Sequence, residues 1–277
     1  MSFYSKLSHR LPRLLRKGRV PVVLLVAAAI FLFSNSHSAF LVGIPGLAKL
    51  ADSLSKTESS FLDFNFLWRG PIPANPEIVI IGINTTSQQR SNFKEEDLNK
   101  SEALRLMTDH DFPWNRKVYA LLIEKLANAG VKAIAFDLLF VRELEGDPEL
   151  RAVIEKYRDR IIVAESVSKE SLTAGTGNKQ AMLEPNKNVL PENRENLIGM
   201  VTYHLGTDDV ARRVNYQTSA YQEQGGEYLG AELDPEIISF APLIVQKVTG
   251  KALPRKRDIL INFQGPERTY PYLPIEE

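Results

Sequence analysis

Three short runs of β-branched and aliphatic residues set the strongest constraint on what this chain can fold into: Glu77–Ile83 (EIVIIGI), Val131–Phe136 (VKAIAF) and Ile161–Glu165 (IIVAE). Each is nearly continuous in apolar character rather than alternating, the pattern of a strand covered on both faces of a parallel sheet. The segments between them have helical periodicity. Arg116–Ala129 places Val118, Leu121, Leu122, Leu126 and Ala129 on one stripe, and Gly130 follows as a helix stop. Asp147–Arg158 reads as the next helix. Strand–helix–strand–helix–strand at this spacing predicts right-handed parallel crossovers and an α/β fold with a three-layer core.

Around that core the pattern is looser. Thr85–His110 is polar and charged and is expected to hold a surface helix around Glu95–Met107. Lys169–Asn196 is rich in Gly, Asn, Lys and Pro, which predicts a long surface excursion. Leu197–Tyr203 and Arg213–Ser219 read as an antiparallel hairpin around a Gly206–Asp209 turn. Pro235–Val248 reads as a helix and Asp258–Phe263 (DILINF) as the last strand. The expected sheet is therefore mostly parallel, with an antiparallel hairpin added.

The N-terminal part obeys different rules. Residues 1–20 carry Lys6, Arg10, Arg13, Arg16, Lys17 and Arg19 and no acid, and no charged residue follows from Val20 to Ala48. A helix over 20–42 is long enough to cross a bilayer, and the six bases before it form a positive-inside signal that exports the rest of the chain. A cleaved signal peptide ending at Ser36-His37-Ser38, before Ala39, exports it as well; a buried core helix leaves the basic cluster unexplained. The expected organisation is a basic cytoplasmic head over 1–19, one transmembrane anchor over 20–42 and an amphipathic membrane-proximal helix over 43–70, with Leu47, Leu50, Leu54 and Phe61 at helical spacing. An α/β domain follows over 71–277. The membrane-proximal helix is expected to pack on the domain, with a dimer coiled coil as the alternative and Pro71, Pro73 and Pro76 as its terminators. The whole chain has 34 bases and 34 acids, so removing the six bases of the head leaves an acidic body. That argues against a nucleic-acid partner. The absence of cysteine removes disulfides, thiolate metal sites and cysteine nucleophiles.

In open α/β sheets ligands bind outside the carboxyl ends of parallel strands. Asn84 and Asp137 follow the first two strands and are ligand-binding candidates on that ground. Asp137 reads either as an acceptor for a ligand or cation, or as a group that caps a neighbouring loop. Arg116, after Trp114 and the candidate helix cap Asn115, can meet Asp137 or an anion, or form a structural ion pair while Trp114 packs in the core. Asp208, Asp209, Arg212 and Arg213 form a dense charged turn in which Asp209 and Arg212 are further binding candidates. A solvated hairpin tip is the plainer reading of that turn. His110 and His204 lack zinc spacing. Gly175–Lys179 lacks the full phosphate-loop pattern and no nucleophile elbow is present. No cofactor, no metal and no catalytic residue is expected.

Glu58, Asp63, IVIIGIN (78–84), FPWNRKVYALLIEKLANAGVKAIAFDLLF (112–140), DDVARRV (208–214) and ILINFQGP (259–266) together resemble the CHASE2 domain across roughly residues 45–270. The block from Phe112 to Phe140 is the most specific, coupling a Pro-Trp-x-Arg turn, a helix and an Asp-ended strand in one order. The resemblance implies an extracytoplasmic sensory module of bacterial transmembrane receptors, whose output is a nucleotide cyclase, diguanylate cyclase, histidine kinase or protein kinase. Its first strand commonly ends Ile-Asp, where this chain has Ile83-Asn84. It also implies a further strand and membrane helices beyond Glu277, and hence a C-terminally incomplete domain with a sheet edge left open after Phe263. The reading that follows is a non-catalytic extracytoplasmic (periplasmic) sensor tethered to the cell membrane. It responds to a small-molecule or protein stimulus and is a possible homodimer. A carboxylate- or metal-dependent hydrolase built on Asp137 and a structural anchor subunit are the alternatives.

Overall fold

The computed structural model describes Ala28 and residues 47–89, 93–167, 182–201, 203–206, 208–223, 229–230, 232–233, 236–254 and 257–277. The basic head, the expected anchor over 20–42 and the loop Gly175–Lys179 lie outside the described residues, apart from Ala28. Among the described residues no helix is long and apolar enough to cross a membrane. The chain forms two compact units, Met1–Pro73 with Phe263–Pro266 and Ala74–Asn262 with Glu267–Glu277.

In the first unit, helix α1 spans Leu47–Arg69. It is ended by Gly70 rather than by the prolines. Gly70 adopts φ 73°, a left-handed conformation that costs glycine little, and its N–H donates to Phe66 O at 3.1 Å. The segment around Phe263 lies along the helix end. Phe66 meets the Phe263 ring edge-to-face with centroids 5.7 Å apart, the Arg69 guanidinium donates to Phe263 O, and Ile72 N–H donates to Gln264 O at 2.6 Å.

The second unit is α/β. Its strands and helices follow in the order β1 (Ile80–Gly82), α2 (Glu95–Lys100), α3 (Glu102–Asp109), α4 (Lys117–Asn128), β2 (Ile134–Phe136), α5 (Asp147–Lys156) and β3 (Ile161–Val167). Then come β4 (Met182–Leu183), β5 (Ile198–Met200), β6 (His204–Leu205), β7 (Ala211–Val214), β8 (Gln217–Ser219), α6 (Ala220–Glu223), β9 (Glu236–Ile238), α7 (Phe240–Thr249), β10 (Ile259–Leu260) and β11 (Tyr272–Pro274). The central sheet has β3 in the middle, parallel to β2 on one edge (Ile134↔Ile161) and to β5 on the other (Ala164↔Gly199). β4 pairs antiparallel with the far end of β3.

Side chains alternate across that sheet. Ile161 and Val163 join Ile134, Phe136, Val118, Tyr119, Ile123, Leu150 and Ile154 in one buried cluster under α4 and α5. On the other face Gly199 backs onto α7, where a Cβ would come within 2.7 Å of Phe240 Cα. Helices therefore cover both faces and the expected three-layer core is present.

Four expectations differ. The first expected strand does not enter the central sheet: β1 pairs parallel with β11 (Ile80↔Tyr272), a strand not anticipated beyond Phe263. Ile198–Met200 is a parallel strand of the core rather than one arm of a hairpin, because half-buried Ile198 and buried Met200 shed more water against β3 than in a two-stranded ribbon. The hairpin is β6 with β7, and β10 extends it antiparallel to β7. Finally, Glu236–Ile238 is a strand paired antiparallel with β8, so the helix that was expected from Pro235 begins at Phe240. The expected surface helix is two short helices, with the Ser101 side chain accepting from Leu104 N–H to start the second.

Candidate functional site

The carboxyl end of β2 opens into a cleft of about 270 Å³ lined by Phe112, Pro113, Arg116, Tyr119, Leu138, Leu139, Val141 and Arg142. Two loops build it, Phe112–Arg116 ahead of α4 and Asp137–Gly146 after β2. Their mutual lock begins with Asn115, whose Oδ1 accepts from Lys117 N–H at 2.9 Å and so starts α4. Arg116 N–H then donates across to Glu145 O at 2.7 Å. Gly146 holds φ 84°, and a Cβ there would fall 2.2 Å from Asn115 Oδ1, so the crossing needs a glycine.

The Arg116 side chain is 5% exposed and runs beneath the floor of the cleft. Its Nε stands 3.4 Å from Asp147 Oδ1, its guanidinium lies over the Phe140 ring at 4.6 Å, and Nη2 donates to Arg142 O at 3.4 Å. Burial lowers its pKa from the ordinary value, and Tyr119 and Asp147 oppose that shift. Asp147 is buried as well. Its Oδ2 accepts from Leu144 N–H at 3.1 Å and from Asn186 Nδ2 at 3.2 Å. The same Asn186 amide donates to Phe140 O and Arg142 O, tying the whole 140–147 loop together. Burial pushes the Tyr119 hydroxyl up to about 12, with Arg116 pulling the other way. At the rim, the exposed Arg142 guanidinium has no partner among the described residues.

The five candidate residues do not converge. Arg116 lines the cleft, but its acid is Asp147, not Asp137. Asp137 is exposed just after β2 and does not line the cleft. Its charge, after partial burial, raises the Tyr203 pKa. Asn84 is engaged by its own turn: Oδ1 accepts from Ser87 N–H at 2.9 Å, and Ser87 Oγ donates to Glu276 Oε2 at 2.7 Å. Asp209 is exposed with φ 58° at the hairpin turn. Arg212 is 7% exposed and gives both terminal nitrogens to Asp208, at 2.8 and 2.7 Å. Those hydrogen bonds hold the Asp208 carboxyl down at about 2.

A group that sequence reasoning passed over is the last β3 residue paired with β5. Glu165 is 5% exposed, and burial, reinforced by Glu184 and opposed by Arg194, pushes its carboxyl up to about 7. Its place at the carboxyl end of a parallel strand was the available signal. Arg142 carried no such signal beyond standing a few residues after a strand.

The sequence matches the CHASE2 domain over residues 38–277. This chain belongs to the CHASE2 domain family. No curated protein and no solved structure matches it. CHASE2 domains are sensory domains, so what needs explaining here is recognition. In this CHASE2 domain the cleft offers apolar walls and two arginines and, in its lining, no carboxylate, histidine, serine or threonine. It can hold an anion with an apolar body. Among the described residues no group of three or more His, Asp or Glu is placed to hold a metal ion.

Proposed function

We propose that this CHASE2 domain is the extracytoplasmic sensor of a membrane-tethered signalling protein and that it binds a small amphiphilic anion, without chemistry of its own, at the carboxyl end of β2. The observation that carries the reading is the exposed Arg142 guanidinium, without a partner among the described residues, in the lining of a cleft walled by Phe112, Pro113, Leu138, Leu139 and Val141. An apolar pocket with one convergent charge orients a ligand by that charge and gains affinity from the walls. Arg116 below is already held by Asp147, so it adds positive potential rather than a direct bond. With no base in the lining and the Tyr119 hydroxyl titrating near 12, the cleft is built for binding rather than hydrolysis. The tether rests on the six bases that precede the uncharged run from Val20.

The test uses the full-length protein in detergent micelles, with its melting midpoint followed against straight-chain monocarboxylates from butanoate to octanoate. The midpoint should rise with chain length until the cleft is filled, and Arg142→Gln should remove the rise. No rise, or the same rise in Arg142→Gln, rejects the site. Reporter fusions at Glu277 test placement. Alkaline phosphatase activity is expected, and activity of a cytoplasmic reporter alone rejects it.

A further inference from the structure

Helix α1 repeats its apolar residues with a period that a single domain does not require. Leu47, Leu50, Leu54, Thr57, Phe61, Phe64 and Trp68 follow one another at alternating steps of three and four, the a and d positions of three consecutive heptads and the a position of a fourth, with Thr57 the one polar member. Phe61, Phe64 and Trp68 are 63%, 58% and 81% exposed. Phe66, on the opposite side of the helix, is the aromatic that packs on Phe263. The first unit thus packs Phe66 at the back of α1 and leaves the described seam residues Thr57, Phe61, Phe64 and Trp68 exposed.

A strict 3.5-residue repeat is the period at which one helix supercoils on another. A helix lying flat on a membrane has a wide apolar face bordered by Lys and Arg. Here the positions that flank the seam, Ala51, Ser53, Glu58, Ser60, Asn65 and Leu67, include no Lys or Arg. We infer that α1 pairs with α1 of a second copy of this chain as a parallel two-stranded coiled coil. The parallel sense rests on the tether proposed above, since two chains leaving the same face of one membrane run the same way.

The flanking positions agree. In a parallel pair, Ser53 of one helix faces Glu58 of the partner and Ser60 faces Asn65, so no like charges oppose each other. The area agrees as well. Aromatic side chains bury about 150–250 Å² each, so three per helix, more than half exposed now, contribute on the order of 800 Å² across the pair. That approaches the roughly 1,000 Å² that marks a specific interface, and the sequence continues the same repeat through Leu54, Leu50 and Leu47.

The chain has no cysteine, so a single introduced cysteine reports on one position. Leu54→Cys, Thr57→Cys, Phe61→Cys and Phe64→Cys on the seam, and Asp52→Cys and Ser59→Cys on the outer face, are compared in full-length protein in native membranes under mild oxidation. The seam variants should cross-link to dimer at least several-fold more than the outer ones. Adding Thr57→Leu to Leu54→Cys should raise its dimer yield, and adding Phe64→Lys should lower it. Equal cross-linking on both faces, a maximum on the outer face, or no dimer at any position overturns the seam. If the protein partitions to the soluble fraction yet keeps the seam-specific pattern, the tether fails and the seam stands.

Discussion

Ile161–Glu165 and Glu77–Ile83 read as the same kind of segment, yet they end in opposite surroundings. In β3, Ile161, Ile162, Val163 and Ala164 are fully buried; around β1, Ile78, Val79 and Ile80 are each 46–49% exposed. The difference is not composition. β3 has a parallel neighbour on each edge and a helix layer on each face, whereas β1 has one ladder, to the three residues of β11. An apolar, β-branched run makes a strand, but the number of partners the topology supplies decides whether that strand becomes core. Exposed strand surface of this kind is also where further pairing takes place.

The largest effect follows directly. Ile161→Ala empties a site closed on all sides and should cost about 2–5 kcal/mol. Ile80→Ala, at a half-exposed position, should cost less than about 1 kcal/mol because most of its surface never left water. Urea midpoints at unchanged m-value make the comparison. Equal losses would mean that β1 is buried in the working protein by something that the described residues do not include.

The two strand ends also differ in charge chemistry, and pH separates them. Glu165 ends the parallel pairing of β3 with β5 and burial pushes its carboxyl up to about 7, while Asn84, after β1, does not titrate. The ordinary value for Glu165 is 4.5, so the native state favours its protonated form. That stabilisation is complete below about pH 4.5 and is lost as pH rises through 7. From that window the core should weaken by roughly 3 kcal/mol, with Glu184 steepening the loss and Arg194 easing it. Glu165→Gln should flatten the profile, as read by denaturant midpoints across pH 4.5–8. A profile unchanged by Glu165→Gln would place the titration elsewhere.

The contrast also marks what was legible in the sequence. β2, α4 and β3 could be read because each local pattern agrees with its final burial, and Gly130 punctuates them. Ile198–Met200 could not be placed, since three residues take their partner from long-range register rather than from their own pattern. Ile237 and Ile238 continue the apolar spacing of α7, and periodicity alone does not separate that short strand from the helix after it. At the site, Arg116 was legible from its position in the Pro-Trp-x-Arg turn. Its pairing with Asp147 was not, because that contact joins two loops across the fold. Arg142 reads as an ordinary exposed charge until the loop folds over the cleft.

The smallest effect tests whether the β1–β11 pair opens independently of the core. Ser87 is fully buried, and its Oγ accepts from Asn84 N–H at 3.2 Å while donating to Glu276 Oε2 at 2.7 Å. This fastens the turn after β1 to the residues just past β11, where Ile275 N–H donates to Gly82 O at 3.0 Å. Ser87→Ala removes the hydroxyl and leaves a carboxylate and an amide short of a partner, a loss of about 1–2 kcal/mol. Because β1 pairs only with β11 among the described residues, that loss should appear locally: amide protection at Ile80 and Ile275, which donate to Pro271 O and Gly82 O, should fall about ten-fold, the exchange equivalent of roughly 1.4 kcal/mol. Amides at Ile162 and Val163 should keep their protection, since they exchange through opening of the β2–β3–β5 sheet. If protection falls equally at Ile80 and Ile275 and at Ile162 and Val163, the two regions unfold as one unit, and the exposed face of β1 is then part of the core's own cooperativity rather than a separate, weaker element.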